Sequence, residues 1–316
     1  MDSIKPARKY GLDFLKGIAA CFVVFMHVRF PDPSGRIIAL IGTFAVPIFF
    51  MTSGYFGYGA SKEKTLRSIK KTSVYLLVAY VLGLVTVLLV KQFDPALLKE
   101  YFKTEIFTTK HIVHFLLFTD TRICGVAWFL ISLLWCYVLK YYLGVKLRYI
   151  AYIGLFIRVF GAIQYPFLRI TVPVNTPWVT GIPFFIIGEL IREHEAWIRE
   201  KIPSWILLIQ GLVGFAILMS ALFYRSLFWF IGILLLSPAL FVLFSRIDMK
   251  YNRICLLGST YAFFVYITHP LMMRIYDAVR TDQSMAEMWA RPVIVLLFTV
   301  LMAWIYYSAK RYFVKK

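Results

Sequence analysis

The sequence predicts an all-α polytopic membrane bundle of about ten transmembrane helices, and three observations carry that reading. The 316 residues are 60% hydrophobic and only 16% charged, where a soluble domain is nearer half apolar and a quarter charged. Mean hydropathy is +0.74. The apolar residues fall in runs close to the roughly 20 residues a helix needs to cross a bilayer. In hydrocarbon each backbone polar group must be satisfied within its own segment, so helices are the class such runs adopt.

The runs lie near 11–30, 37–59, 73–90, 125–143, 147–165, 178–191, 205–223, 227–244, 255–275 and 292–312. The first follows Lys5, Arg8 and Lys9 and has the look of a signal peptide. No small-x-small cleavage site comes after it, since the chain runs His27-Val28-Arg29-Phe30, so a retained helix is expected. The fifth carries Arg158 at its middle, which leaves its placement open. The sixth is short, and Gly181-Ile182-Pro183 predicts a break or kink there. The ninth holds His269 directly before Pro270.

Lysine and arginine outnumber aspartate and glutamate 35 to 16. These cations form no stripe on a soluble domain, which argues against nucleic acid as a partner. They sit in the short connections, as the positive-inside rule requires of a membrane protein. Placing the amino terminus inside also places there Lys62 to Lys71, Lys140 to Arg148, Arg192 to Lys201, Arg246 to Arg253 and the tail from Lys310. Outside, the stretch from Lys91 to Arg122 balances its basic residues with Asp94, Glu100, Glu105 and Asp120. Ten crossings and two cytoplasmic termini agree with each other, and the plasma membrane is the expected location. Residues 1–316 read as a single membrane domain with no soluble domain. The longest polar stretch, Lys91–Gly125, includes a semi-apolar part, Ile112–Thr119, that is expected to lie on the membrane surface or dip into it. Cys21, Cys124, Cys136 and Cys255 are scattered without a CxxC, so neither a disulfide framework nor a metal site is expected.

The chemistry concentrates in the first run. Lys16 and His27 are eleven residues apart, about three turns plus 20°, so they share one helix face about 16 Å apart. Ionisable side chains inside a membrane segment point to function. A neutral imidazole accepts a proton from a hydroxyl and returns it to a leaving group, although a histidine also serves helix packing. Lys16, near the inner end, can snorkel to the headgroups. Asp13 lies on nearly the same face but about 21 Å from His27. It is expected to pair with Lys16 or to cap the helix. Arg158 either lines a reaction chamber or marks a displaced span. Ser53-Gly54 has no GxSxG elbow around it and fits packing or backbone bonding better than a nucleophile. His269 is a second chamber histidine or a stabiliser of the proline site. His111, His114 and His194 fall in connections and are expected to be solvated. Arg67, Lys70 and Lys71 form a cluster that suits an anionic ligand, and that topology alone also explains.

The run Arg8-Lys9-Tyr10-Gly11-Leu12-Asp13-Phe14-Leu15-Lys16-Gly17-Ile18-Ala19-Ala20, closed by His27, resembles the opening of the acyltransferase-3 family. There a basic residue precedes a histidine by eleven positions; arginine is commoner than the lysine found here. Val46-Pro47-Ile48-Phe49-Phe50-Met51-Thr52-Ser53-Gly54-Tyr55, Trp128-Phe129-Leu130, Gly181-Ile182-Pro183-Phe184-Phe185 and Tyr266-Ile267-Thr268-His269-Pro270 resemble later segments of the family, in order.

The resemblance implies a membrane O-acyltransferase that uses acyl-CoA, most often acetyl-CoA, as co-substrate and needs no bound cofactor. It gives His27 the role of base and Lys16, with Arg67, Lys70 and Lys71, that of attracting the donor's phosphates. Asp13, Ser53, Arg158 and His269 are further candidates for the chamber. The acceptor implied is a hydroxyl on a cell-envelope or extracellular glycan. Membrane lipids surround the chain, and a separate envelope-biosynthesis protein is a possible partner, because some relatives carry an extra soluble domain. The alternative is a transporter or flippase for a glycan or lipid-linked precursor. Against it, the second half has no counterpart to the Lys16–His27 segment.

Overall fold

The computed structural model describes residues 8–91, 94–106, 108–119, 122–168, 174–223, 227–280 and 284–314. Among these the secondary structure is helical, with no strand. Seven helices are long and apolar enough to cross a membrane, or eight if one bent pair is a single span. The expected ten exceed this count for identifiable reasons. Helices α7 (Trp128–Leu143) and α8 (Leu147–Leu168) run on through a turn at Gly144, whose φ is +54°, and so form one long apolar stretch. Helix α9 (Ile182–Glu193) has 12 residues, about 18 Å.

Helix α1, Tyr10–His27, is the spine. It packs on α2 (Ser34–Gly42), α3 (Ala45–Gly57), α12 (Leu227–Arg246), α13 (Arg253–Leu256), α14 (Ala262–Val279) and α15 (Met285–Val314). Leu12, Leu15, Ala19 and Val23 enter the main apolar core, while Val24 enters a second one with Val265 and Val295. The helix stops at His27, three residues short of the expected end, ahead of Pro31 and Pro33. His27 therefore occupies its last turn rather than its interior.

Three other runs differ from expectation for local reasons. The second breaks at Thr43 and Phe44, where the Thr43 hydroxyl donates to the Leu40 carbonyl at 2.6 Å. Helix α4 (Lys62–Val90) starts eleven residues early because Ser61 caps it, accepting from the Lys64 amide at 3.3 Å. The cluster Arg67, Lys70 and Lys71 is thus helical rather than a loop. The predicted break at Gly181 is a wide turn, Pro177–Gly181, that leads into α9. Over the polar stretch lie α5 (Pro95–Tyr101) and α6 (Thr109–Phe118). The ten residues of α6 reach about 15 Å, too short to cross. Helix α14 continues through Pro270 without ending.

Several of the cations expected inside are tied down by contacts between neighbouring helices. Lys9 and Arg192 both pair with Glu195, to which the Tyr55 hydroxyl donates at 2.7 Å. Burial pushes the Glu195 carboxyl up, but the hydrogen bonds from Lys9 and Tyr55 outweigh it and hold it below the usual carboxylate range. Lys140 pairs with Glu189, and Arg148 with Glu193 at 2.7 Å. Arg246 donates to the carbonyls of Ile198 and Ile202 in and just after α10 (Glu195–Lys201). A 97° bend separates α10 from α11 (Ser204–Ser220).

Helices α3 and α9 meet backbone to backbone. A Cβ on Gly54 would stand 1.9 Å from the Phe185 carbonyl oxygen, and one on Gly188 would stand 2.1 Å from that of Met51. Such approach is how helices associate where no hydrophobic effect drives them together. Gly188→Val should therefore lower the thermal transition of the purified protein, overpacking costing about 1–3 kcal/mol. Gly57→Ala, with its nearest neighbour 3.8 Å away, should leave the transition in place. Fluorescence-detected unfolding compares the two.

Candidate active site

Cavities lie along the same face of α1. An inner one of about 290 Å³ is lined by Lys16, Val23, Val46, Thr52, Ser53, Lys71, Phe129, Ser259, Thr260 and Tyr266, among others. Two open at the other end. The larger, about 420 Å³, has His27 and His269 together with Lys91, Tyr101, Arg122 and Arg274. The smaller, about 210 Å³, has His27, Thr43, Trp128, Asn175, Thr180 and Trp229. His27 lines both outer cavities, and Val46 lines both the smaller outer one and the inner one. His27 thus stands between the two outer cavities, and Val46 between the smaller of them and the inner one.

The inner end is electrostatically built. The Asp13 carboxylate, 7% exposed, sits 2.8 Å from the Lys16 ammonium and accepts from Arg8 Nε at 2.8 Å. The three together carry one net positive charge, which Lys71 on α4 supplements across the cavity. Of the two roles expected for Asp13, pairing is the one observed; α1 has no side-chain cap. A glycine at 258 allows this region to close, because a Cβ there would lie 1.9 Å from the Asp13 carbonyl oxygen.

At the other end the His27 and His269 rings are 5.1 Å apart between centroids, tilted by 35°. His269 is fully buried, with Nδ1 3.3 Å from the Val265 carbonyl oxygen. A carbonyl only accepts, so this contact places the proton on Nδ1 and leaves the Nε2 lone pair free. Nε2 has no hydrogen-bond partner. His27 is exposed to the cavities. A partition separates inner from outer space. In it the Tyr266 hydroxyl donates to the Val126 carbonyl, and the Tyr266 ring packs edge-on against Phe129 at 5.4 Å.

The residues expected at the site divide three ways. Lys16, Lys71 and Ser53 reach the inner cavity, and His27 and His269 the larger outer one. The Ser53 hydroxyl donates to the Phe49 carbonyl at 2.9 Å, which is the backbone bonding expected of a serine in a helix and occupies its proton. Arg67 and Lys70 are exposed on α4 and line neither cavity. Arg158 is corrected most: α8 runs straight through it, so its span is not displaced, yet it does not line the chamber. Its guanidinium lies over the rings of Trp229 and Phe230, 5.2 and 5.0 Å from their centroids, and those two rings line the smaller outer cavity. Its charge is met by an aromatic wall. His194 is exposed, as expected of a connection, and the His114 side chain lies outside the described residues.

Sequence reasoning missed Lys91, Arg274, Asn175 and Trp229. Nothing in local spacing marks them; they reach the cavities only through the fold, with α12 and α14 packed on α1, α4 packed on α14, and Asn175 just before the turn at Pro177–Gly181.

The fold and the site define an all-α integral-membrane bundle with a Lys–His helix face opening into cavities at both ends. Residues 9–308 match the family model for the acyltransferase domain of the acyltransferase-3 family. The chain belongs to that family and is a membrane acyltransferase. No curated protein and no solved structure matches it.

The two histidines should differ in reactivity. Diethylpyrocarbonate, which acylates accessible neutral imidazoles, should modify His27 in the intact protein and spare His269 until the chain is unfolded. Peptide mass spectrometry reads both positions, and modification of His269 in the folded protein would contradict the buried placement.

Proposed function

We propose that this chain is an O-acyltransferase, acetyl being the usual group, that carries the acyl unit from cytoplasmic acyl-CoA to a hydroxyl of a cell-envelope or extracellular glycan. The observation that carries the reading is the position of His27, which lines both outer cavities and shares one continuous helix with Lys16 at the inner one. The donor's diphosphate and 3′-phosphate sit against Lys16 and Lys71, and the pantetheine arm runs along α1 for the roughly 16 Å to His27.

The acceptor enters from the opposite side. His27 takes the proton of its hydroxyl as the oxygen bonds to the thioester carbonyl carbon. The tetrahedral intermediate collapses with cleavage of the carbon–sulfur bond, and the imidazolium returns the proton to the leaving thiolate. The products are the ester and free CoA. His269, held by Val265, buttresses the His27 ring. The partition at Tyr266 and Val126 limits water access to the thioester before the acceptor arrives. Both termini are cytoplasmic in this reading, the location is the plasma membrane, and a separate envelope-biosynthesis protein supplies or receives the glycan.

Purified protein supplied with acetyl-CoA and an acceptor tests this. His27→Ala should insert and express normally yet lose transfer by about 10²–10⁴-fold, the usual contribution of positioned proton transfer. Near-normal transfer by that variant would reduce His27 to a packing residue. Lys16→Ala and Lys71→Ala should each raise the donor KM, with Lys16→Arg milder because the charge remains. Arg67→Ala and Lys70→Ala should change it less, since neither residue reaches the cavity. Orientation has its own test: a cysteine at Lys64 should be shielded from an impermeant reagent in whole cells and one at Lys103 labelled. The reverse pattern would remove the cytoplasmic donor route.

A further inference from the structure

The larger outer cavity has a charge pattern that acyl transfer to a neutral sugar does not call for. Its lining residues include three cations, Lys91, Arg122 and Arg274, and no carboxylate among the described residues. Three other arginines at this end find acids: Arg36 stands 3.6 Å from Asp32, Arg280 3.3 Å from Glu287, and Arg291 holds Asp277 in a two-pronged contact at 2.8 and 2.7 Å. Asp277 lies three residues after Arg274, where an ion pair along the helix is available, yet it is committed to Arg291. Arg274 has no ion-pair partner among the described residues. Nor does Lys91, whose ammonium lies 5.4 Å over the Tyr101 ring.

The arrangement is held in place. The Tyr101 hydroxyl donates to the Arg122 carbonyl at 2.8 Å, and Arg122 itself pairs with Glu105. Tyr101 thereby fixes one wall of the mouth and supports the Lys91 charge. Arg274 is contributed by α14, five residues past His269 on the same helix. Two cations without an ion-pair partner among the described residues, Lys91 just after α4 and Arg274 on α14, thus share one cavity with both histidines. Cations on the outer side run against the bias that sets topology, so topology does not account for them. The volume, about 420 Å³, falls in the range of pockets that hold a small-molecule ligand.

We infer that the acceptor is anionic, with a carboxylate or phosphate close to the accepting hydroxyl held between Lys91 and Arg274 in the cavity that His27 faces. Arginine suits the two-oxygen geometry of either anion, while lysine acts as a point charge. Fixing the acid group at the mouth orients the neighbouring hydroxyl toward the imidazole. The inference rests on the acyl-transfer reading for its chemistry and on cavity charge alone for its substrate class.

Direct binding tests it without turnover. The full-length protein in phosphatidylcholine nanodiscs is titrated calorimetrically with trigalacturonate and, separately, with uncharged maltotriose. Trigalacturonate should bind at least about tenfold more tightly, and the preference should shrink as salt shortens the screening length. Lys91→Gln with Arg274→Gln should bring the ratio of the two affinities toward one, whereas Lys91→Arg with Arg274→Lys should preserve it. Equal affinities in the wild type, or a preference that survives neutralisation, would overturn the inference. Loss of trigalacturonate binding in nanodiscs containing phosphatidylglycerol would identify a lipid headgroup as the occupant and overturn it too. Cleavage of acetyl-CoA is followed in parallel. A clear anion preference without any cleavage supports the anion site and counts against the acyl-transfer reading alone.

Discussion

Lys16 and His27 stand on one face of a single helix in a medium where an ionisable group costs several kcal/mol unless it is paired or faces a polar cavity. The molecule meets that requirement along the whole length of α1. Asp13 pairs with Lys16 at one end, sharing its carboxylate with Arg8, and the second imidazole, His269, stands beside His27 at the other. Between them the same face lines the inner cavity through Val23. The remaining faces of α1 are given to packing, with Leu12, Leu15, Ala19 and Val24 divided between two apolar cores.

The cavities exist because the surrounding helices approach closely where they can and stay apart where they cannot. Gly54 and Gly188 draw α3 onto α9, and Gly258 draws the start of the ninth span onto α1. These contacts fix the walls at the inner end. Opposite them, bulky aromatics keep space open: Phe129, Tyr266, Trp128 and Trp229 line the cavities rather than fill them. Arg158, whose charge is met by the rings of Trp229 and Phe230, packs against that wall. A polar site at membrane depth is thereby built from rigid helices rather than loops, which suits a reaction that needs two substrates held within bonding distance.

Much of this was legible in the sequence. The 100° periodicity of α1 and its apolar surroundings were enough to place Lys16 and His27 on a shared face, and the ordered motifs pointed to the family that the domain match shows. The break at Gly181 was equally readable, since proline chemistry acts locally. What was not legible depends on packing. The early start of α4, set by one serine cap, turned an expected loop into helix and carried Lys71, but not Arg67 or Lys70, to the inner cavity. The end of α1 at His27 rather than residue 30 follows from prolines whose effect on a long apolar run hydropathy does not weigh. Arg158 was visible as an anomaly, yet no spacing rule says that the answer to its charge is a pair of rings on α12. Lys91 and Arg274 are 183 residues apart in sequence and meet only through the fold.

A structure of the protein with a non-hydrolysable acetyl-CoA analogue, the thioester sulfur replaced by a methylene group, bears most directly on the central claim that donor and acceptor meet at His27 from opposite sides. The account predicts the phosphates against Lys16 and Lys71 in the inner cavity, the pantetheine arm extended along α1, and the ketone within hydrogen-bond reach of the His27 ring. Phosphate density beside Lys91 and Arg274, or an acyl end that stops short of His27, would contradict it.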